Sequence, residues 1–558
     1  MEIKKLMVIM LIVLGLVIKA GPVVYGIEIF PFDSKRPMAD QNDNKLYDDL
    51  ELELKLEKDQ YPVIVHLTEP ANPRLLSYLK SKIGDFTPTY IYRYFNGFAT
   101  QLTKEQILRL REYSVIEKIQ WDAPVEIYMD TAAPGFGVLK ARQYYLVDGD
   151  RDGDPGIYTS QDVVIAFIDT GIDVKHVDLP ENKVIGWLDL IQNRSTPYDD
   201  HGHGTHVAGI AAGLGIGNQD YIGVAPGAAL VVVKALDAEG KSRMSIVDAG
   251  IEWLLDQKDQ LKIDILSISF GSKGTADGSD STCQLINLLV EKGINVVVAA
   301  GNQGAGLQTI GSPGAAEKAI TVSGMADQGE GGEFLAYFAS RGPTLDGRAK
   351  PDLCGPGWRI MAPQARTTDQ YIVFSGTSMA APFTAGIIAL LLDLQPSLTP
   401  DEIKNILLKT AEDWGPEGWD PDYGMGKIQV ENALDQLKDK SNMVFDNPYH
   451  FRAEEDLPSE GFYDQWIVEL GSTDHILAVT MVTYLDEDKD NLNLYLYDPN
   501  GNLVAKGERG GRHEWISIYP TMAGPYTLEV VSYKGSGKYY LDFYGDILLF
   551  YLGADNQY

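Results

Sequence analysis

A chain of 558 residues is too long for one hydrophobic core and divides into roughly three or four domains. Its 79 acidic residues against 47 Lys and Arg leave a formal net charge of −32, which argues against nucleic acid or an anionic membrane as partner. A hydrophobic content of 44% supports sizeable cores, and two cysteines are too few for a disulfide framework.

The N-terminus reads as an export signal over residues 1–26. Lys4 and Lys5 precede an apolar run at 6–18, and the small residues Ala20, Gly21 and Gly26 follow. The run is short for a membrane span, and no later segment approaches the ~20 apolar residues a span needs. An uncleaved anchor is the alternative; the expected product is cleaved near Gly26, secreted and extracellular, with no membrane association afterwards. Export permits Cys283 and Cys354 to pair, but their apolar and glycine-rich surroundings suit free buried thiols as well.

Residues 28–60 are largely polar and charged. A strand at 61–67, a helix at 73–83 and an alternating strand at 90–102 follow. Thr103-Lys104-Glu105-Gln106 then opens a helix, and 115–119 reads as a last strand. That order is a small α+β domain of ferredoxin type. Wedged between an export signal and a larger domain, it occupies the place of a propeptide, assigned to 27–129 with a folded core at about 61–121.

Residues 128–143 read as a loop-like linker and processing region. Beyond it, Asp148, Asp150, Asp152 and Asp154 alternate with Gly149, Arg151 and Gly153, as at the start of a calcium loop. Thr159 stands where an EF-hand would have glutamate. A looser calcium loop and a solvated acidic turn are the two readings.

From 162 onward, buried strands alternate with helices. Nearly continuous apolar runs at 163–168, 231–236, 263–268, 294–299 and 319–322 suit a parallel sheet. Helical segments at 207–214, 246–256 and 283–291 lie between them, which predicts an α/β domain over 130–438 with helices on both faces. After 438 the texture becomes short strands punctuated by turns such as Asp498-Pro499-Asn500-Gly501. This predicts an all-β jelly-roll sandwich over 439–558. Asp486, Asp488 and Asp490, between two of its strands, form a second calcium candidate.

Chemistry gathers at strand and helix ends of the α/β domain, where open parallel sheets place their sites. Asp169 ends a buried strand, His203 opens an apolar helix in His201-Gly202-His203-Gly204-Thr205-His206, and Ser378 lies in the first turn of another in Gly376-Thr377-Ser378-Met379-Ala380-Ala381-Pro382. Singly, such an Asp is a turn former and such a Ser a helix cap. Together they are an acid, a base and a hydroxyl in the order Asp, His, Ser, the set nucleophilic acyl transfer needs.

The blocks around Asp169, His203 and Ser378 resemble the three signature segments of subtilisin-like serine proteases, in family order and over roughly 130–437. The resemblance implies a serine endopeptidase in which Asp169 orients, His203 is the general base and Ser378 attacks. It implies an oxyanion donor at Asn302, within Ala299-Ala300-Gly301-Asn302. It also implies substrate backbone pairing along an exposed edge at Ser269, Phe270 and Gly271, and an S1 pocket lined by these with Gly301 and Gly311. Such small residues imply a roomy pocket for large apolar P1 side chains. Residues 61–121 resemble an inhibitor-type propeptide, with self-cleavage expected between Val125 and Ala133. No cofactor is expected for catalysis; calcium is expected as a structural ion, and the product as a monomer acting on proteins or peptides.

Two rivals stand beside this. Asp200, His201, His203 and His206 are dense enough for a zinc site. A binding or inhibitor protein on a protease scaffold is the other, since fold alone never guarantees function.

Overall fold

The computed structural model describes residues 44–556 apart from 47–49, 52–53, 56–57, 92–95, 122–131, 133–135, 273, 328–332, 439–449, 474–475, 484–490 and 509–511. The chain divides into two compact units between Ala123 and Pro124.

In the first unit, an antiparallel sheet runs in the order Pro88–Ile91, Gly97–Leu102, Tyr61–Leu67, Ile116–Trp121. Helices Pro73–Ile83 and Lys104–Leu110 give the order βαββαβ. Each helix begins at a side-chain cap: Asn72 accepts from Leu75 N, and Thr103 with Gln106 forms a reciprocal capping box. Tyr61, Val63, Val65 and Leu67 alternate onto a core with Leu76, Leu79 and Ile107. The single strand expected at 90–102 is instead two, Pro88–Ile91 and Gly97–Leu102, paired as a hairpin. Alternation continues through both arms of a hairpin, so it does not mark the turn.

The second unit opens with a helix, Val138–Tyr145, where a loop was expected. Val138, Ala141 and Tyr145 recur on one face and are buried, and Gly137 in the left-handed region starts the helix (φ 79°). The glycine signal was a helix start rather than a linker.

A seven-stranded parallel sheet follows, in the order Leu353–Pro356, Ile320–Met325, Asn295–Ala299, Ile265–Ile268, Val164–Asp169, Ala229–Lys234, Val184–Asp189. Successive side chains of Val164–Asp169 serve two cores. Ile165 and Phe167 pack with helices His203–Ala212 and Thr377–Leu394, whereas Val164, Ala166 and Ile168 pack with Met244–Leu261 and Ser281–Glu291. Helices on both faces of a parallel sheet make this the α/β architecture expected. Helix Thr377–Leu394 is apolar enough to cross a membrane by composition, but it is the buried central helix of this core. Cys283 and Cys354 are both buried and free.

The C-terminal part is a sandwich of antiparallel sheets. One runs His450–Leu457, Gly537–Tyr544, Leu477–Thr483, His513–Ile518; the other runs Leu503–Gly507, Asn491–Tyr497, Gly524–Lys534, Phe462–Leu470, Ile547–Asn556. Several side-chain contacts join it to the α/β part. Arg512 reaches Asp422, and His450 sits between Glu412 and Asp542 while stacking on Trp414 at 3.9 Å. Phe334 and Trp515 stack at 4.4 Å.

Candidate active site

Three neighbouring strands of the parallel sheet end at the site. Asp169 is the last residue of Val164–Asp169, Ser269 follows Ile265–Ile268, and Asn302 follows Asn295–Ala299. Two helices begin there, with His203 as first residue of His203–Ala212 and Ser378 as second residue of Thr377–Leu394. Strand carboxyl ends and helix amino ends thus converge, the arrangement expected of a site in an open parallel sheet.

Asp169 is 1% exposed and accepts from His203 Nδ1 at 2.8 Å through Oδ1, with Oδ2 at 3.0 Å. That contact fixes a proton on Nδ1 and leaves Nε2 as the acceptor. Burial pulls the imidazole pKa down, but the charge and hydrogen bond of Asp169, with the charge of Asp199, outweigh it and hold it above 6.5.

The helix start that carries His203 is held by Asp199, which the motif reading passed over. Asp199 Oδ1 accepts from His201 N, Gly202 N and Thr170 Oγ1, and Oδ2 accepts from Thr205 N and Oγ1. Burial pushes this carboxyl up, yet the bonds from Thr205, Gly202 and His201 bring it below the usual range. An acidic side chain just ahead of an apolar helix was the available signal. The helix also approaches the strand-end turn closely: a Cβ on Gly204 would lie 2.1 Å from Gly171 O. Gly171, at φ +114° with Tyr198 O 2.0 Å from its own would-be Cβ, has no room for a side chain either.

Lys234, at the end of an otherwise apolar strand, is buried and donates to Thr170 O at 2.6 Å, Asp200 Oδ1 at 2.6 Å and Leu236 O at 2.9 Å. It ties the turn after Asp169 to the neighbouring strand. A lone lysine in an apolar run was the signal.

Pro382 explains the placing of Ser378. Without an N–H, it cannot bond the carbonyl four residues back, which is that of Ser378. That carbonyl instead accepts from Ser269 Oγ at 2.8 Å, and Ser378 Oγ donates to Ser269 O at 2.7 Å. Ser269 is therefore buried and engaged with Ser378 rather than lying along an open edge; Phe270 is half-buried and Gly271 exposed. No hydrogen bond joins Ser378 to His203. A serine hydroxyl moves by one χ1 rotation, and catalytic hydrogen bonds commonly tighten only around a bound substrate.

Asn302 Oδ1 accepts from Thr377 N at 3.0 Å and Thr377 Oγ1 at 3.2 Å, which turns its amide nitrogen the other way. A Cβ on Gly376 would fall 3.2 Å from Asn302 Nδ2 and 3.6 Å from Ser378 N. Gly376 has an extended backbone (φ 161°), so glycine serves here as empty space. Asn302 Nδ2 and Ser378 N thus both lie within 3.6 Å of the point a Cβ on Gly376 would take. Gly301 N bonds Thr377 Oγ1, while Gly311 packs a would-be Cβ 2.5 Å from Ser272 O.

The zinc reading fails on geometry. His206 is buried and donates Nε2 towards the Ile360 and Ile372 carbonyls, Asp200 is bound to Lys234, and His203 to Asp169. Burial and the nearby His203 push His206 down to about 3, so it is neutral. Among the described residues, the one group of metal-ligating side chains brought together is Asp150, Asp152 and Asp162. Asp148 and Asp154 stand outside it, and Asp486, Asp488 and Asp490 lie outside the described residues.

A model of the subtilase family, peptidase S8, matches residues 160–426. Serine protease AprX of Bacillus subtilis (strain 168) is 37% identical over 349 residues, covering 58% of this chain and 76% of that protein. Subtilisin E of the same organism is 31% identical over 345 residues, covering 61% and 81%. Subtilisin DY of Bacillus licheniformis is 36% identical over 290 residues, covering 52% and 96%. With strand ends, helix starts and this likeness agreeing, the chain belongs to the subtilase family and is a subtilisin-like serine endopeptidase.

Proposed function

We propose that this protease cleaves peptide bonds through Asp169, His203 and Ser378. Substrate entry displaces the Ser378 hydroxyl from Ser269 O towards His203 Nε2. Oγ attacks the scissile carbonyl as its proton passes to Nε2, and Asp169 steadies the resulting imidazolium. Asn302 Nδ2 and Ser378 N receive the oxyanion, donors fixed before charge appears. The imidazolium returns its proton to the leaving amine, and water repeats the cycle on the acyl-enzyme. The observations that carry this are the Asp169–His203 bond at 2.8 Å and the approach of Asn302 Nδ2 and Ser378 N to one point beside Gly376.

The remaining parts follow from the sequence. Residues 1–26 direct export to the extracellular space, and the α+β unit acts as an intramolecular inhibitor removed by self-cleavage between Val125 and Ala133. The mature enzyme is a monomer, free of the membrane, that takes large apolar P1 side chains between Gly301, Gly311 and the 269–271 segment. Calcium is a structural ion bound by the acidic loops.

The test is hydrolysis of an unfolded protein by the parent and by Ser378→Ala, with circular dichroism reporting the fold. Loss of cleavage in a folded variant is expected; undiminished cleavage rejects Ser378 as nucleophile. N-terminal sequencing of the parent product locates the processing site.

A further inference from the structure

Two stacked aromatic pairs meet close to the start of the helix that carries Ser378. Trp358 lies in the turn between strands Leu353–Pro356 and Ile360–Pro363, and its ring runs parallel to that of Phe338, with centroids 5.7 Å apart and planes at 3°. Phe334 and Trp515 form the second pair, at 4.4 Å and 2°. Trp358 meets this pair edge-on, 5.6 Å from Phe334 and 6.3 Å from Trp515, and Tyr337 stands edge-on to Trp358 at 5.6 Å. Offset-parallel and edge-to-face contacts are the arrangements aromatic rings prefer. Four of these rings belong to the α/β part, whereas Trp515 comes from the sandwich strand His513–Ile518.

Main-chain bonds tie the group to the segments that carry Ser378 and Asn302. Gly376 N donates to Gly357 O at 2.8 Å, and Arg359 N donates to Ser375 Oγ at 2.8 Å. Both neighbours of Trp358 are thus held to the residues just ahead of Thr377 and Ser378. The fit is close, since a Cβ on Gly357 would lie 2.9 Å from Gly376 O. On the other side, Gly304 N donates to Phe338 O at 2.8 Å, two residues beyond Asn302. The Trp358–Phe338 pair therefore bridges the two segments from which the oxyanion donors come.

The outer surface of the group is open. Phe334 is buried at the junction with the sandwich, but Trp358, Phe338 and Trp515 are half-buried and Tyr337 is 52% exposed. Grouped aromatic rings that stay partly exposed mark a binding surface, because they offer large contact area at little entropic cost. The P1 side chain, on the acyl side of the bond, is placed against the 269–271 segment, where Ser269 bonds Ser378 directly. Trp358 approaches Ser378 from its other neighbours, Ser375 and Gly376. A polypeptide that crosses Ser378 from the 269–271 segment continues towards these rings.

We propose that Trp358, Phe338 and Tyr337, walled by Trp515 of the β-sandwich, form a subsite for an aromatic or large apolar side chain on the leaving side of the scissile bond. The inference rests on the Ser378 reading and deepens it, because it makes the appended sandwich part of the substrate cleft.

The test uses the full chain in its active form and peptides with leucine at P1. One set carries phenylalanine or serine in the first two positions after the scissile bond. A second set carries the same alternatives three residues before it. kcat/KM is measured for each peptide, with the cut bond verified by mass spectrometry, and the ratio for phenylalanine over serine is compared between variants. The parent is expected to prefer phenylalanine in the first set. Trp358→Ala should cut that ratio about tenfold, and Tyr337→Ser or Trp515→Ala about threefold, while the ratio in the second set holds. Tyr337 is exposed, so Tyr337→Ser remains informative if Trp358→Ala fails to fold. A parent without the preference, or a first-set ratio unchanged in folded variants, overturns the subsite. A loss that falls on the second set as well overturns its assignment to the leaving side. Cleavage that survives Ser378→Ala instead rejects the catalytic reading beneath it.

Discussion

The Arg512 guanidinium closes on the Asp422 carboxylate through two hydrogen bonds, 2.8 Å from Nη1 and 2.6 Å from Nη2, with both side chains buried. Arg512 belongs to the β-sandwich and Asp422 to the α/β part. Burial pushes the Asp422 carboxyl up, but Arg512 and Arg341, whose Nε is 2.7 Å away, hold it below the usual range. Arg512 Nη1 also donates to Ala305 O, on the segment that follows Asn302.

Removing one member of a buried ion pair typically costs about 3–5 kcal/mol, and here Arg341 remains to soften the loss. Arg512→Met should therefore destabilise by about 3 kcal/mol, read from guanidinium unfolding. Because Ala305 is released too, kcat should fall more than KM rises. A midpoint equal to the parent's would show that the sandwich is held by its other contacts.

As the proposed general base, His203 must be neutral to accept a proton. Since Asp169 lifts its pKa above 6.5, kcat/KM should climb as pH rises through that raised value. Asp169→Asn should move the acid limb to lower pH and reduce kcat by about 10⁴. An acid limb that stays in place would assign it to another group. The same raised pKa means that this pair stabilises the fold fully below pH 6.5 and less as pH rises through the folded value.

His450 offers a titration at the junction. Burial works against its charge, but hydrogen bonds to Asp542 and Glu412 raise it to about 9. A base whose folded pKa is raised contributes in full below its unfolded value near 6.5 and nothing above about 9. The difference amounts to about 3 kcal/mol. Unfolding temperature should thus decline between pH 6.5 and 9, and His450→Phe, which keeps the stack on Trp414, should remove that part of the decline.

The proposed mechanism gives Asn302 a second task, oxyanion donation through Nδ2, separable from its observed acceptance from Thr377 through Oδ1. Asn302→Ala should lower kcat by about 10²–10³ with KM little changed. It should also cost about 1 kcal/mol of stability, because Thr377 N loses its cap. Asn302→Asp keeps the acceptor and discards the donor, so stability should return and kcat should not. If both variants lost stability equally, the cap would be immaterial.

The blocks around Asp169, His203 and Ser378 were legible as element ends, and the apolar runs between them indicated the parallel sheet. Less visible were residues that act across the fold. Asp199 reads as a turn former until Thr170, Gly202 and Thr205 are seen around it, and Asp162 as a strand preface until it meets Asp150. In the sandwich, His450–Leu457 was hidden by its charges and Ile547–Asn556 by an unbroken apolar run whose Leu548, Phe550 and Leu552 are exposed. Period-two patterning is lost when a strand's outer face is not polar.

Lys234 has a practical corollary. Its amine is buried and already committed to Thr170 O, Asp200 and Leu236 O, as that of Lys183 is to Pro226 O. Amine-reactive supports will therefore couple through outer lysines such as Lys318 and Lys538, and immobilised enzyme should keep its turnover at high coupling density.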